Sequence, residues 1–116
     1  MQYFTTRTAN AADKFVLCLA EFPNEPEAKL RPALIFADRG NDVIAAPLTT
    51  HAPRNRFDVS LRSWWEAGLL EGSVVRVEKV GPLPRCCIHR VIGQVVGADV
   101  RRVTSAVIMW SHYFTA

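Results

Sequence analysis

Between Asp99 and Phe114 apolar residues fall at helical spacing: Val100, Val103, Val107, Trp110 and Phe114 share one face, and Arg101, Arg102, Thr104 and Ser111 take the other. Asp99 stands where an N-cap is needed, so the spacing predicts a helix over about 99–114. Such a helix must bury its apolar stripe, and the rest of the chain offers only short extended runs to cover it.

Those runs are punctuated by turn residues. "KFVLCLAEF" (14–22) is rich in strand formers, and "PNEPEAK" (23–29) breaks it with two prolines, giving a strand followed by an acidic loop. "RPALIF" (31–36) is a second run, ended by the turn residues Asp38, Arg39, Gly40 and Asn41. "DVIAAPLTT" (42–50) is a third, in which Pro47 calls for an edge, a bulge or a strand end. "HAPRNRF" (51–57) reads as a basic surface loop feeding a short strand at "FDVSL", and "RSWWEAGLLEG" (62–72) as one or two helical turns closed by Gly68 or Gly72. "SVVRVEKV" (73–80) reads as a strand, "GPLPR" as a turn and "CCIHRVIGQVV" as the last strand; residues 1–12 read as a small, polar arm or edge. Five or six short strands and one terminal helix make a mainly β chain, a small, strongly curved antiparallel sheet or barrel with the helix over its open side.

At 116 residues the chain suits a single domain, 1–116. With 49% hydrophobic and 22% charged residues and no long apolar run, it has the composition of a soluble protein with no membrane span. The start lacks the apolar stretch of a secretory signal, which points to the cytoplasm. Cys18, Cys86 and Cys87 are odd in number, two of them adjacent, so no disulfide framework suggests itself. A formal charge of +3 and a pI near 9.0 permit a polyanionic partner without requiring one.

No phosphate loop, dinucleotide fingerprint, nucleophile elbow or paired zinc knuckle is present. Cys86, Cys87 and His89 hold metal-ligand chemistry, but adjacent cysteines fit a tetrahedral site poorly. More informative are polar residues at strand ends. Arg31 opens one run, Thr49 closes another, and Arg76 and Glu78 sit within "SVVRVEKV", on one face about 7 Å apart if that segment is a strand. Gathered in one concavity, they suit a phosphodiester: guanidinium forks bind phosphate oxygens and stabilise developing charge. A carboxylate can take the proton of a ribose 2′-hydroxyl. A solvated surface ion pair would give the same spacing.

The quoted segments "KLRPALIF", "DVIAAPLTT", "FDVSLRSWWEAGLLEGSVVRVEKV" and "IHRVIGQV", with the terminal helix, resemble in order and spacing the PemK/MazF family, the toxins of type II toxin–antitoxin modules, over roughly residues 14–110. The resemblance implies an SH3-like barrel with a C-terminal helix, usually a homodimer. It also implies a metal-independent endoribonuclease that needs no cofactor, cuts single-stranded RNA to 2′,3′-cyclic phosphate and 5′-hydroxyl ends, and is neutralised by a cognate antitoxin. Arg31 then falls on the strand-opening arginine, Thr49 on the catalytic threonine, and Arg76 and Glu78 where PemK-type members place a general acid and base. His51, Arg54 and Arg56 stand where they can track an RNA backbone, or can form a solvated basic loop. The chain departs from the family pattern at Ala12, where glycine is usual, and in the loop before Arg31, with Pro23, Pro26, Glu21, Glu25 and Glu27.

One of the adjacent Trp64 and Trp65 is expected in the core and the other at the surface; His89 reads as a structural or edge residue. A non-catalytic module on the same barrel is the alternative: a CcdB-like gyrase poison acting through the aromatic tail "MWSHYFTA", or a degenerate toxin that only binds antitoxin.

Overall fold

The structure, a computed structural model, describes residues 15–23 and 29–115. The N-terminal arm expected over 1–12, the departure at Ala12 and the loop residues Glu25, Pro26 and Glu27 lie outside them. Seven strands and one α-helix are present among the described residues: β1 (Val16–Glu21), β2 (Leu30–Asp38), β3 (Asp42–Thr49), β4 (Asp58–Ser60), β5 (Val74–Arg76), β6 (Gly81–Pro84), β7 (Ile88–Gln94) and α1 (Ala98–Thr115). All pairings are antiparallel, in the order β4-β5-β3-β2-β1-β7, with β6 also on β3.

The apolar runs of β1, β2 and β3 are nearly continuous because both faces of these strands are covered. Val16, Cys18 and Ala20 of β1, Ala33 and Ile35 of β2, and Val43 and Ala45 of β3 join Leu83 and Ile88 in one cluster. The alternate residues Leu17, Leu34, Ala46 and Leu48 join Val59, Val75, Val77, Val103 and Ala106 in the other, against α1. Cross-strand register keeps the sets apart: Leu17 pairs with Leu34, and Cys18 with Ala33.

Strand β3 is the hub. One edge pairs with β2; the other pairs first with β6, through Asp42–Ala45, and then with β5, through Leu48 and Thr49. Ala46 and Pro47 belong to neither ladder on that edge, and a residue without an N–H is best tolerated where a ladder is interrupted. The proline thus marks a handover inside the strand.

Four local expectations change. "SVVRVEKV" is a strand only to Arg76; Val77–Lys79 is a 3₁₀ turn closed by the Val80 N–H donating to the Val77 carbonyl, so Arg76 and Glu78 do not alternate along one strand. "GPLPR" supplies β6, because Gly81–Pro84 pairs with β3. "CCIHRVIGQVV" enters its strand only at Ile88, after a 3₁₀ turn over Arg85–Cys87. "RSWWEAGLLEG" forms turns rather than a helix: Ala67 N–H donates to Ser63 O, then Leu69 N–H to Trp64 O and Gly68 N–H to Trp65 O. That last pair is the Schellman pattern, and Gly68, at φ +102°, is its left-handed residue. Trp64 packs on the core while Trp65 is 76% exposed.

Helix α1 starts at Ala98, and Asp99 lies in its first turn rather than capping it. The Asp99 carboxylate is buried, accepting from Ser63 N–H at 2.8 Å and from Arg102 Nη1 at 2.8 Å; Arg102 Nη1 also donates to Ser60 O. The helix is thereby pinned to β4 and to the turn after it. Val103 and Ala106 are buried in the cluster below, and Val100, Val107 and Trp110 pack at its margin, as the spacing requires.

The 62–69 turn lies directly on β7. A Cβ at Gly93 would stand 1.8 Å from the Ala67 carbonyl oxygen, and one at Gly68 2.3 Å from that of Ile92. Gly93→Ala is therefore expected to lower unfolding stability by about 2–3 kcal/mol, read from the urea midpoint. Burial pushes the Cys18 thiol up from 9.0 to about 12. The unfolded chain gives up this proton first, so the contribution is intact below pH 9 and disappears as pH rises towards about 12. Cys18→Ser is expected to flatten that alkaline fall in urea midpoints taken from pH 8 upward.

Candidate functional site

Arg31 near the start of β2, Thr49 at the end of β3 and Arg76 of β5, two residues on from the Val74 that pairs with Thr49, line one cleft at the end of β3. Arg31 shares strand parity with Ala33 and Ile35, and Thr49 with Val43 and Ala45, so both continue the face opposite α1. There they line a cleft of about 680 Å³ with Phe22, Pro47, Leu48, His51, Arg54, Arg76 and Lys79. Among the described residues four of these side chains are cations and none is an acid, so the described lining is basic.

Arg76 is the fixed member. Asp58 lies directly across the β4–β5 ladder from it, with its side chain fully buried. Asp58 Oδ1 accepts from Arg76 Nε at 3.2 Å, and Oδ2 from the Arg54 N–H at 2.9 Å. Glu78, carried round by the 3₁₀ turn, accepts through Oε1 from Arg76 Nη2 at 3.2 Å and from Asn55 Nδ2 at 2.7 Å. Asn55 Oδ1 in turn accepts from the Phe57 N–H at 2.8 Å. Two carboxylates thus hold one guanidinium at the cleft and tie the 54–58 loop to the sheet. Thr49 Oγ1 accepts from the His51 N–H at 3.2 Å, which sets the start of the same loop.

Of the residues singled out in the sequence, Arg31, Thr49, Arg76, His51 and Arg54 converge on the cleft. Glu78 and Arg56 are not among its lining side chains. Glu78 holds Arg76 from outside it; Arg56 lies over the rings of Phe57 and Tyr113, 5.2 and 5.5 Å from their centroids. Phe22, Lys79, Asn55 and Asp58 were not singled out. The acid between Phe57 and Val59 in "FDVS" is the signal that could have found Asp58, since a buried strand acid needs a cation across the ladder. His89 is exposed on β7, its Nε2 3.4 Å from Glu21 Oε1, away from the cleft lining. In the tail, Trp110 packs on Phe57 at 5.1 Å and Tyr113 is exposed. All three cysteines are free, and among the described residues no group of three His, Cys, Asp or Glu side chains is placed to hold a metal ion.

A short-stranded antiparallel sheet with one terminal helix and a basic cleft at the end of its central strand defines a class of small mainly β domains. Residues 14–110 match the profile of the PemK-like, MazF-like toxins of type II toxin–antitoxin systems, and the chain belongs to that family. Among solved structures it is similar to the Mycobacterium tuberculosis toxin MazF-mt6, with 22% identity and a TM-score of 0.69 over 84% of this chain and 96% of that one. It is also similar to a mycobacterial endoribonuclease solved in complex with its cognate antitoxin, with 16% identity and a TM-score of 0.71 over 85% and 93%. MazF from Deinococcus radiodurans gives 18% identity and a TM-score of 0.68 over 85% and 94%. At these identities the likeness carries the fold, and it is the fold expected from the sequence. No curated protein sequence gives a significant match.

The Asp58–Arg76 pair has almost no solvent to fall back on, so Asp58→Ala is expected to cost about 3 kcal/mol by stranding the guanidinium and the Arg54 N–H. Glu78→Gln keeps an oxygen acceptor for Arg76 and Asn55 and is expected to stay within about 1 kcal/mol of the parent. Urea unfolding of the two variants checks the contrast.

Proposed function

We propose that the chain is the toxin of a type II module, a metal-independent endoribonuclease that cleaves single-stranded RNA and is held inactive by a cognate antitoxin. The observation that carries the reading is the cleft itself: Arg31, Arg54, Arg76 and Lys79 around Thr49, with no acid among the described residues of the lining. Family membership supports it, and so does the similar mycobacterial endoribonuclease with its antitoxin.

Cleavage by attack of the 2′-hydroxyl needs the phosphate held, the charge on its oxygens stabilised and the attacking and leaving oxygens in line. In this reading Arg31 and Arg76 grip the non-bridging phosphate oxygens, and Thr49 donates its hydroxyl to the same group. Arg54 and Lys79 draw the adjoining backbone into the cleft. Glu78 and Asp58 act through Arg76, keeping its fork aimed without a search through rotamers. The products are a 2′,3′-cyclic phosphate and a 5′-hydroxyl end. The antitoxin acts by covering the cleft, and its acidic groups would compete for the cations that RNA uses. The exposed apolar side chains Trp65, Leu70 and Val91 support a homodimer.

Purified protein is expected to cut single-stranded RNA in EDTA, leaving ends that are mapped as 5′-hydroxyls. Arg31→Ala and Arg76→Ala are each expected to reduce the single-turnover rate by about 10²-fold or more. Cleavage that survives Arg31→Ala, or that needs a divalent metal, overturns this reading. Antitoxin binding without any cleavage identifies a toxin that has kept only its partner surface.

A further inference from the structure

Transfer of the phosphate bond requires a group that removes the 2′-hydroxyl proton, and the cleft narrows the choice. Of the described lining residues, Arg31, Arg54, Arg76 and Lys79 are cations, Thr49 is a hydroxyl, and Phe22, Pro47 and Leu48 carry no acid–base group. Among the described residues two carboxylates lie beside the cleft, and both are engaged with Arg76. Asp58 is fully buried, with one oxygen on Arg76 and the other on the Arg54 N–H, and Glu78 spends Oε1 on both Arg76 and Asn55 outside the lining. His51 is left as the one lining side chain among the described residues that carries an imidazole nitrogen able to accept a proton. Its backbone is tied to the site: the His51 N–H donates to Thr49 Oγ1, so the imidazole starts two residues from that threonine.

Building on the endoribonuclease reading, we propose that His51 is the general base of the reaction. A ring nitrogen of neutral His51 accepts the 2′-hydroxyl proton while the 2′-oxygen bonds to phosphorus. The bond from phosphorus to the 5′-oxygen breaks, its electron pair stays on that oxygen, and water entering the cleft protonates it. The imidazolium then returns its proton to solvent. Among the described residues Arg31, Arg54, Arg76 and Lys79 are the charged side chains that face the same cleft, and all four are cationic. The role differs from backbone tracking, in which His51 would contribute to affinity alone.

The test is a single-turnover pH–rate profile with a short single-stranded RNA in EDTA, comparing the parent with His51→Ala, Glu78→Gln and Arg31→Ala. Affinity is measured separately on a DNA of the same sequence, which has no 2′-hydroxyl to react. His51 is exposed in a loop and contributes its backbone N–H to the local structure, so the alanine variant keeps that bond. His51→Ala is expected to lose about 10²–10⁴ in rate, to bind the DNA within about threefold of the parent and to lose the acidic limb of the profile. Imidazole in the buffer should restore part of the rate. Glu78→Gln should keep the acidic limb. A parent that cleaves and a His51→Ala variant with the same limb overturn the assignment and leave the nuclease reading standing. Loss of the limb in Glu78→Gln instead assigns the base to Glu78. A parent that never cleaves overturns the nuclease reading itself.

Discussion

Strand β3 has to satisfy two edges and two faces at once. Along one edge it holds β2, along the other it passes from β6 to β5, and its side chains alternate between the cluster under α1 and the cluster on the opposite side. Every residue from Val43 to Leu48 is therefore constrained in size and polarity, which is why the run is built from valine, isoleucine, alanine, proline and leucine alone. Only where the strand runs out, at Thr49, does a polar side chain become affordable. The cleft forms at that end, where β2 begins along one edge and β5 begins along the other, its Val74 pairing with Thr49.

Electrostatics divides the cations of the cleft by how firmly each is held. Arg76 sits against two carboxylates and only 15% of its side chain is exposed, so its charge is largely balanced and its direction is set. Arg54 is anchored through its backbone, leaving its guanidinium to the cleft. A guanidinium held on two carboxylates is set in direction as well as in place. The buried pair of Asp58 and Arg76 also closes the β4–β5 ladder and so serves the fold and the site together.

Much of this was legible in the sequence. Helical spacing located α1 to within a residue or so at each end, and the three long apolar runs located β1 to β3, since both patterns are strong and local. The convergence of Arg31, Thr49 and Arg76 was reached through a family resemblance rather than through pattern, because spacing along a chain says nothing about which strand ends meet. What failed is equally physical. The 3₁₀ turn at Val77–Lys79 hides within a β-rich run, so Glu78 reaches Arg76 by folding back rather than by alternation. Gly81–Pro84 has two prolines and reads as a turn, yet it is a strand because β3 offers it a partner. Asp99 has the look of a cap, but its carboxylate is drawn inward by Ser63 and Arg102. Asp58 escaped notice because its meaning depends entirely on cross-strand register.

The loop between β3 and β4 is tied at intervals: at Thr49, at Asn55 through Glu78, at Arg56 over two aromatic rings and at Asp58 through the Arg54 N–H. A loop with so many tethers has little conformational freedom left to lose when a polyanion arrives. Its basic side chains are presented on a nearly finished surface, so whatever it meets is selected by contacts to those side chains, with no contribution from folding the loop around it.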